Sequence, residues 1–211
     1  MYVGHFAIAF LLAVLYPHVP IIIPFLAVGF PDLAWGLLIL AKVEKVKVNP
    51  DSPLQKDLVF EKFPYSHSLI LANALALAIG VALSAVVGNA SIAAVFVLGS
   101  ASHWALDVVV HNKDLAILGF NGDRTVGFGL WRWGRTAFVV VFAFYATSVI
   151  FLVPPSIMPG VLLLGGVFHL FNANSFLGFT KTNPFRSPSK CALVTLLGFV
   201  LFSILASSIL A

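Results

Sequence analysis

Charge is scarce in this chain. Only 9% of its 211 residues are Asp, Glu, Lys or Arg, while 60% are hydrophobic. A soluble globular domain carries about 25% charged residues, so this chain has too few to clothe a water-facing surface, and lipid must cover much of it. Cysteine is nearly missing: the single Cys191 excludes an internal disulfide and a Cys-x-x-Cys metal knuckle. No Lys or Arg precedes the first apolar run in MYVGHFAIAF. That run lacks the basic leader of a secretory signal peptide and reads as part of the mature protein. There is no internal repeat and no low-complexity tract. A formal charge of +4 invites a nucleic-acid partner, but no basic stripe with interleaved aromatics accompanies it, so none is expected.

What is present is a series of apolar runs, at about 3–17, 20–41, 66–88, 91–111, 136–153, 157–177 and 190–210. A spanning helix needs roughly 20 apolar residues, so the first run is short. Pro24 and Pro31 are expected to kink or break the second, and VVGNAS (86–91) and VPPS (153–156) read as tight turns. All twelve Lys and Arg residues fall in the segments 42–65, 112–135 and 178–190. With seven spans these segments share one side, which the positive-inside rule makes cytoplasmic. The expectation is an all-α, polytopic transmembrane helix bundle of about seven spans. It sits in the inner or plasma membrane with its N-terminus in the cytoplasm. KVEKVKV (42–48) alternates like a short exposed strand. Residues 115–133 read as a hairpin around Asn121-Gly122-Asp123, with Trp131 and Trp133 as interfacial anchors. Both loops are placed to roof the cytoplasmic helix ends.

Against this apolar background, SHWALDVVVH (102–111) sets His103, Asp107 and His111 four residues apart. Such spacing lines one helix face over about 12 Å. A charged Asp inside lipid costs roughly 2.5–3.5 kcal/mol, so the stripe should face the bundle and find partners. The topology offers His5 at the start of the first run, Asp32 after Pro31, and His67 at the start of the third. Five groups, His5, Asp32, His67, His103 and Asp107, thus converge from four helices. Two carboxylates balance one divalent cation and three neutral imidazoles complete its shell. Mixed His and carboxylate ligands suit zinc, with iron or manganese as alternatives, better than magnesium or calcium. A metal with an open position lowers the pKa of water towards 7. His111, nearer the interface, either reaches water or serves as the acid or base. The structural alternative is that His and Asp simply pair across helices. His18 reads as a surface residue, His169 as a helix-to-helix bond, and Ser66 as the cap of the third helix.

Gly4-His5, Asp32-Leu33 with Trp35, Pro64-Tyr-Ser-His67-Ser-Leu69, Ser102-His103-Trp104 with Leu106-Asp107 and His111, Asp114-Leu115 and Gly127-x-Gly129-Leu130-Trp131 together resemble a family of polytopic prokaryotic membrane proteins. That family is itself similar to the inner-membrane proteins classed as metal-dependent hydrolases. The resemblance covers about residues 1–135 as a membrane core with its two cytoplasmic loops. Residues 136–211 are expected to add three further transmembrane helices to the same bundle. The resemblance implies ligands at His5, Asp32, His67, His103 and Asp107. Leu33 and Ala34 stand where the broader group has Asp and His, and Phe63 and Pro64 precede Tyr-Ser-His where it has His-Arg. Fewer ligands and no nearby Arg weigh against a phosphoester substrate. The function expected is metal-dependent hydrolysis of a lipid-like or membrane-proximal substrate at the cytoplasmic face. A proton- or ion-coupled permease using the same groups as a relay and a scaffold without chemistry are the competing readings.

Overall fold

The computed structural model describes residues 2–120 and 122–211, so Asn121 of the expected turn lies outside the described residues. The helices are α1 (Tyr2–Leu15), α2 (Ile22–Leu40), α3 (Leu71–Val87), α4 (Ser91–Val110), α5 (Gly134–Leu152), α6 (Met158–Phe171), α7 (Ala173–Leu177) and α8 (Pro188–Leu210). All but the short α7 are apolar runs whose interior backbone groups largely pair along the helix, as a bilayer requires. By length and hydropathy α2, α4, α5 and α8 can each cross a membrane, while α1, α3 and α6 are shorter.

The shortness of α1 has a packing reason. Val3, His5, Phe6, Ala7, Ala9, Phe10 and Leu12 are all buried, so most of the helix is enclosed by its neighbours, as one that is apolar all round should be, while Leu11, Val14 and Leu15 toward its end are exposed. It packs against α2, α4, α5 and α6, while α2 lies against both α4 and α8, and α3 against α4. The outer helices turn apolar side chains outward: Phe151 is 82% exposed, Phe171 84% and Val86 83%. In water these faces would be an aggregation hazard; in lipid they cost nothing.

Three junctions differ from expectation. Neither Pro24 nor Pro31 breaks α2, which runs unbroken from Ile22 to Leu40. Pro24 lies in the first turn, whose amides have no intrahelical acceptor anyway, and Pro31 is carried inside the helix. The sixth apolar run is broken at Asn172 between α6 and α7. The third helix begins at Leu71, so His67 lies in the preceding loop. The cap-like bond there comes from Ser68, whose Oγ accepts from the Ala72 amide at 3.2 Å; Ser66 is used elsewhere.

The cation-bearing loops gather at one end. The expected strand in 42–48 is β1 (Lys45–Lys47), and its antiparallel partner is β2 (Val59–Lys62). The expected hairpin is β3 (Leu115–Ala116) paired with β4 (Thr125–Val126). The Asp123 carboxylate accepts from the amides of Leu118 and Gly119 and so pins its turn. Asn183 joins the third loop to the first, its amide donating to the Pro50 carbonyl at 2.9 Å and its side chain to the Ser52 carbonyl at 3.1 Å. Trp133 is exposed as an anchor should be, but Trp131 is buried, because it packs inward over the polar cluster described below.

Helices α2 and α4 approach so closely at Gly99 that a Cβ there would lie 2.7 Å from the Ala27 carbonyl carbon. Gly99 is one turn ahead of His103, so this approach sets how near His103 comes to α2. Gly99→Val should destabilise the protein by about 1–3 kcal/mol through overpacking, read as a lowered unfolding temperature in detergent. Gly166→Ala, whose Cβ would meet only Phe142 at 3.9 Å, should leave that temperature unchanged or slightly raised.

Candidate metal centre

Helices α1, α2 and α4 and the loop ahead of α3 each deliver part of one polar cluster. Asp107 is its centre. His103 precedes it by one turn of α4. His111 caps the C-terminus of the same helix, its backbone turning extended (φ −64°, ψ 150°) while its amide still donates to the Asp107 carbonyl at 2.8 Å. Asp107 Oδ2 lies 3.1 Å from His103 Nε2, 3.7 Å from His67 Nε2 and 3.7 Å from His111 Nε2. Its other oxygen, Oδ1, lies 3.2 Å from His5 Nε2. Asp32 places one oxygen 3.5 Å from His67 Nε2 and the other 3.5 Å from His103 Nε2. The five expected ligand positions and His111 therefore all meet. His18 is exposed. His169 donates Nε2–H to the Phe138 carbonyl oxygen in α5 at 2.9 Å, because a carbonyl only accepts, and the residue makes the expected helix-to-helix bond.

The far nitrogens of three imidazoles fix the proton positions. His103 Nδ1 is 2.7 Å from the Val28 carbonyl oxygen, so Nδ1–H must donate. Val28 lies in the α2 turn before Pro31, whose missing amide leaves the neighbouring Ala27 carbonyl without its helical donor. His111 Nδ1 is 3.1 Å from Asp114 Oδ1, again an acceptor. His67 Nδ1 is 2.8 Å from Ser66 Oγ. Ser66 donates its hydroxyl to Glu44 Oε2 at 2.6 Å, and Glu44 Oε1 takes the amides of Tyr65 and Ser66 at 2.8 and 3.0 Å. With its own proton committed to Glu44, Ser66 Oγ accepts from His67 Nδ1–H. Burial pushes the Glu44 carboxyl up, while the bonds from Ser66 pull it back down. Each ring thus keeps a proton on Nδ1 and, when neutral, turns an Nε2 lone pair on the carboxylates. Metal-binding histidines are held in this way by outer acceptors.

Lone pairs facing carboxylate oxygens repel unless a cation stands between them. A proton on Nε2 is one candidate, but charge-assisted N–H···O bonds are about 2.7–2.9 Å long. Four of the six Nε2···O separations here are longer, at 3.5–3.7 Å; those from His103 and His5 to Asp107, at 3.1 and 3.2 Å, are at the hydrogen-bonding limit, though His103 Nε2 completes no hydrogen bond. The rings of His5 and His103 are stacked at 3.5 Å with 1° between their planes. Two imidazolium charges at that spacing would repel strongly, so at most one of these rings is protonated. Ligands held at about 2.0–2.1 Å around a tetrahedral ion lie roughly 3.4 Å apart, in the middle of the observed range. His5, His103 and Asp107, and likewise Asp32, His67 and His103, each bring their donor atoms within 4.8 Å of one another. The cluster fits a divalent metal by donor type, spacing and charge.

One side of the cluster is open. A cavity of about 510 Å³ is lined by Asp32, His67, Asp107 and His111, but not by His5 or His103. Asp32 is its most open acid, with 19% of its side chain exposed. Trp131 and Phe60 cover His111, with ring centroids 4.1 and 5.1 Å away, so the loops roof the site as expected. Three contributors were not anticipated from sequence: Glu44, Asp114 as the partner of His111, and the Val28 carbonyl. Glu44 is 2% exposed, and its position in the alternating stretch 42–48 made it look like one more solvated charge. Comparison with family models, with curated proteins and with solved structures found no match.

The purified, detergent-solubilised protein should hold about one equivalent of zinc by elemental analysis, and His67→Ala and Asp107→Ala should each lose it. Ser66→Ala, which removes the link between His67 and Glu44, should weaken zinc affinity about 10–100-fold in a chelator titration. Metal retained by both alanine variants would move the centre elsewhere.

Proposed function

We propose that this protein is a multi-pass hydrolase of the inner or plasma membrane that depends on a divalent metal, zinc first, with iron or manganese as alternatives. It crosses the membrane seven times with its N-terminus in the cytoplasm, and it acts on a lipid-like or membrane-proximal substrate at the cytoplasmic face. The observation that carries this reading is the common orientation of His67, His103 and His111. Each has its Nδ1 proton held by an outer acceptor and its Nε2 directed at carboxylate oxygens, and that of His103 makes no hydrogen bond. The gathering of the basic loops at the same end as the cluster supports a cytoplasmic site. The resemblance to inner-membrane metal-dependent hydrolases supports the same class.

His67, His103, Asp32 and Asp107 would hold the metal, with His5 orienting Asp107 through Oδ1 on the side away from the cavity. When bound, a divalent metal supplies Lewis acidity and makes water a nucleophile near neutral pH. His111 stands at the cavity wall with Asp114 behind it and Trp131 against its ring. It is placed to take a proton from water and return it to a leaving group. The roof of Phe60, Phe63 and Trp131 limits solvent access to that proton.

A proton relay through the bilayer needs polar groups that continue toward the opposite end. Ser203 and Ser207, buried in α8, instead donate to the carbonyls of Phe199 and Ser203 in their own helix, at 2.7 and 2.6 Å. Those two hydroxyls give the relay no support; Ser100, buried in α4 one turn before His103 with its Oγ unbonded, is one polar group on that side. A scaffold whose His and Asp side chains only pair with one another should show short ion-pair bonds, and the longer separations favour the metal.

With p-nitrophenyl laurate as probe, zinc-loaded protein should release nitrophenol, chelation should abolish the release and added zinc restore it. His111→Asn should retain zinc while lowering kcat about 10²–10⁴-fold. Metal-free protein that carries pH-dependent proton flux in liposomes would replace this reading with the permease.

A further inference from the structure

The cavity that reaches the metal cluster does not end there. It continues between α6 and α8, along Phe168 and Phe171 on one side and Val194, Leu197 and Leu201 on the other. Several of these wall residues are also outward-facing: Phe171 is 84% exposed, Leu197 60% and Leu201 49%. The groove is therefore open sideways, toward the region that the outward apolar faces assign to lipid. From Cys191 to Leu201 the α8 wall runs about 15 Å. Its volume of about 510 Å³ lies within the usual range for a small-ligand site, about 300–1,000 Å³.

Charge narrows the occupant. All twelve Lys and Arg residues lie in the segments 42–65, 112–135 and 178–190 at this end of the bundle, yet none lines the cavity among the described residues. Near its loop end the wall is polar but uncharged, with Gln55, Asn172, Asn174 and Ser175. A divalent metal against the carboxylates of Asp32 and Asp107 has no net charge left over. A phosphate would meet no compensating cation there, and burying an unpaired charge is costly. An uncharged ester meets amides and hydroxyls suited to it.

Resting on the hydrolase reading above, we infer that the substrate is an uncharged carboxylic-ester lipid. It enters sideways from the bilayer between α6 and α8 and lays one hydrocarbon chain along α8, with its ester against the metal cluster. Water adds through oxygen to the ester carbonyl carbon and gives one proton to His111. The acyl carbon–oxygen bond breaks, and the alkoxide takes the proton from His111. The products are a carboxylic acid and an alcohol.

The test uses the full-length protein in phosphatidylcholine vesicles with two photoactivatable probes, a diacylglycerol and a phosphatidic acid, each with a diazirine in mid-chain. Diacylglycerol should crosslink to residues 168–171 and 194–201 about tenfold more than phosphatidic acid does, and zinc-loaded protein should release fatty acid from it. Thr195→Trp, which fills the groove, should remove the crosslink; Leu197→Trp, on the more exposed wall, provides the same reading if the first variant fails to fold. Crosslinks spread evenly over the lipid-facing helices, or equal for both probes, would overturn the inference whatever the zinc content. Localised crosslinking that persists in His67→Ala, with no zinc bound by wild type, would instead remove the hydrolase reading and leave the groove as a lipid site.

Discussion

A single buried carboxylate organises this protein. Asp107 has 2% of its side chain exposed within an apolar helix, and an ionised carboxylate in such a place is tolerable only when opposite charge or donors surround it. Four imidazole nitrogens lie within 3.7 Å of its two oxygens. They come from α1, from the loop before α3 and from α4 with its C-terminal cap, so a cation shared between Asp107 and these nitrogens would draw on three separate parts of the chain. Breaking a buried charge cluster by removing one member leaves the rest uncompensated, which is the usual source of large destabilisation. The helix bundle and the candidate site are therefore not independent: the arrangement that surrounds Asp107 also fixes how α1, α2 and α4 pack.

The outer partners extend that constraint. His103 binds the Val28 carbonyl only because Gly99 lets α4 close on α2. His67 is held through Ser66 by Glu44, which stands at the start of β1. The β1–β2 ribbon is thus tied to the His/Asp cluster by a chain of buried hydrogen bonds, and partly satisfied networks of this kind are expensive in a low dielectric. A ribbon that looks like a surface feature is in effect the outer wall of the site.

This division explains what could be read from the amino-acid order. His103 and Asp107 stood out because helical spacing turns four residues into one face, and because ionisable side chains are conspicuous among Leu and Val. His5, Asp32 and His67 followed from depth in the bundle. The seven apolar runs correspond to helices in the described structure, with the sixth divided at Asn172. Glu44 and Asp114 could not be read in the same way. They sit in loops, where acidic residues are ordinary, and their role depends on a strand pairing (Val46 with Phe60) and a helix end at Val110 that local pattern does not specify. Trp131 was misread for a related reason: a tryptophan beside a membrane suits the interface by type, and only the hairpin's fold turns it onto His111.

The part of the chain beyond residue 135 carries the remaining argument. Its helices have no ionisable residue within the cluster, yet the division between α6 and α7 falls where the cavity needs it. Irregular backbone at membrane depth is tolerated only where protein buries it or it lines a cavity, and Asn172, at that break, lines this one. Buried polar bonds also decide which neighbour α6 keeps. His169 binds the Phe138 carbonyl and Tyr145 donates to the Val161 carbonyl at 2.7 Å, and both bonds join α6 to α5. Toward α8, α6 has apolar contacts alone among the described residues. Apolar contact between helices in lipid has no hydrophobic drive behind it, because the lipid tails are as apolar as the side chains. A hydrocarbon chain entering the seam between α6 and α8 therefore displaces apolar contacts alone, and the seam leads to Asp32 and His67.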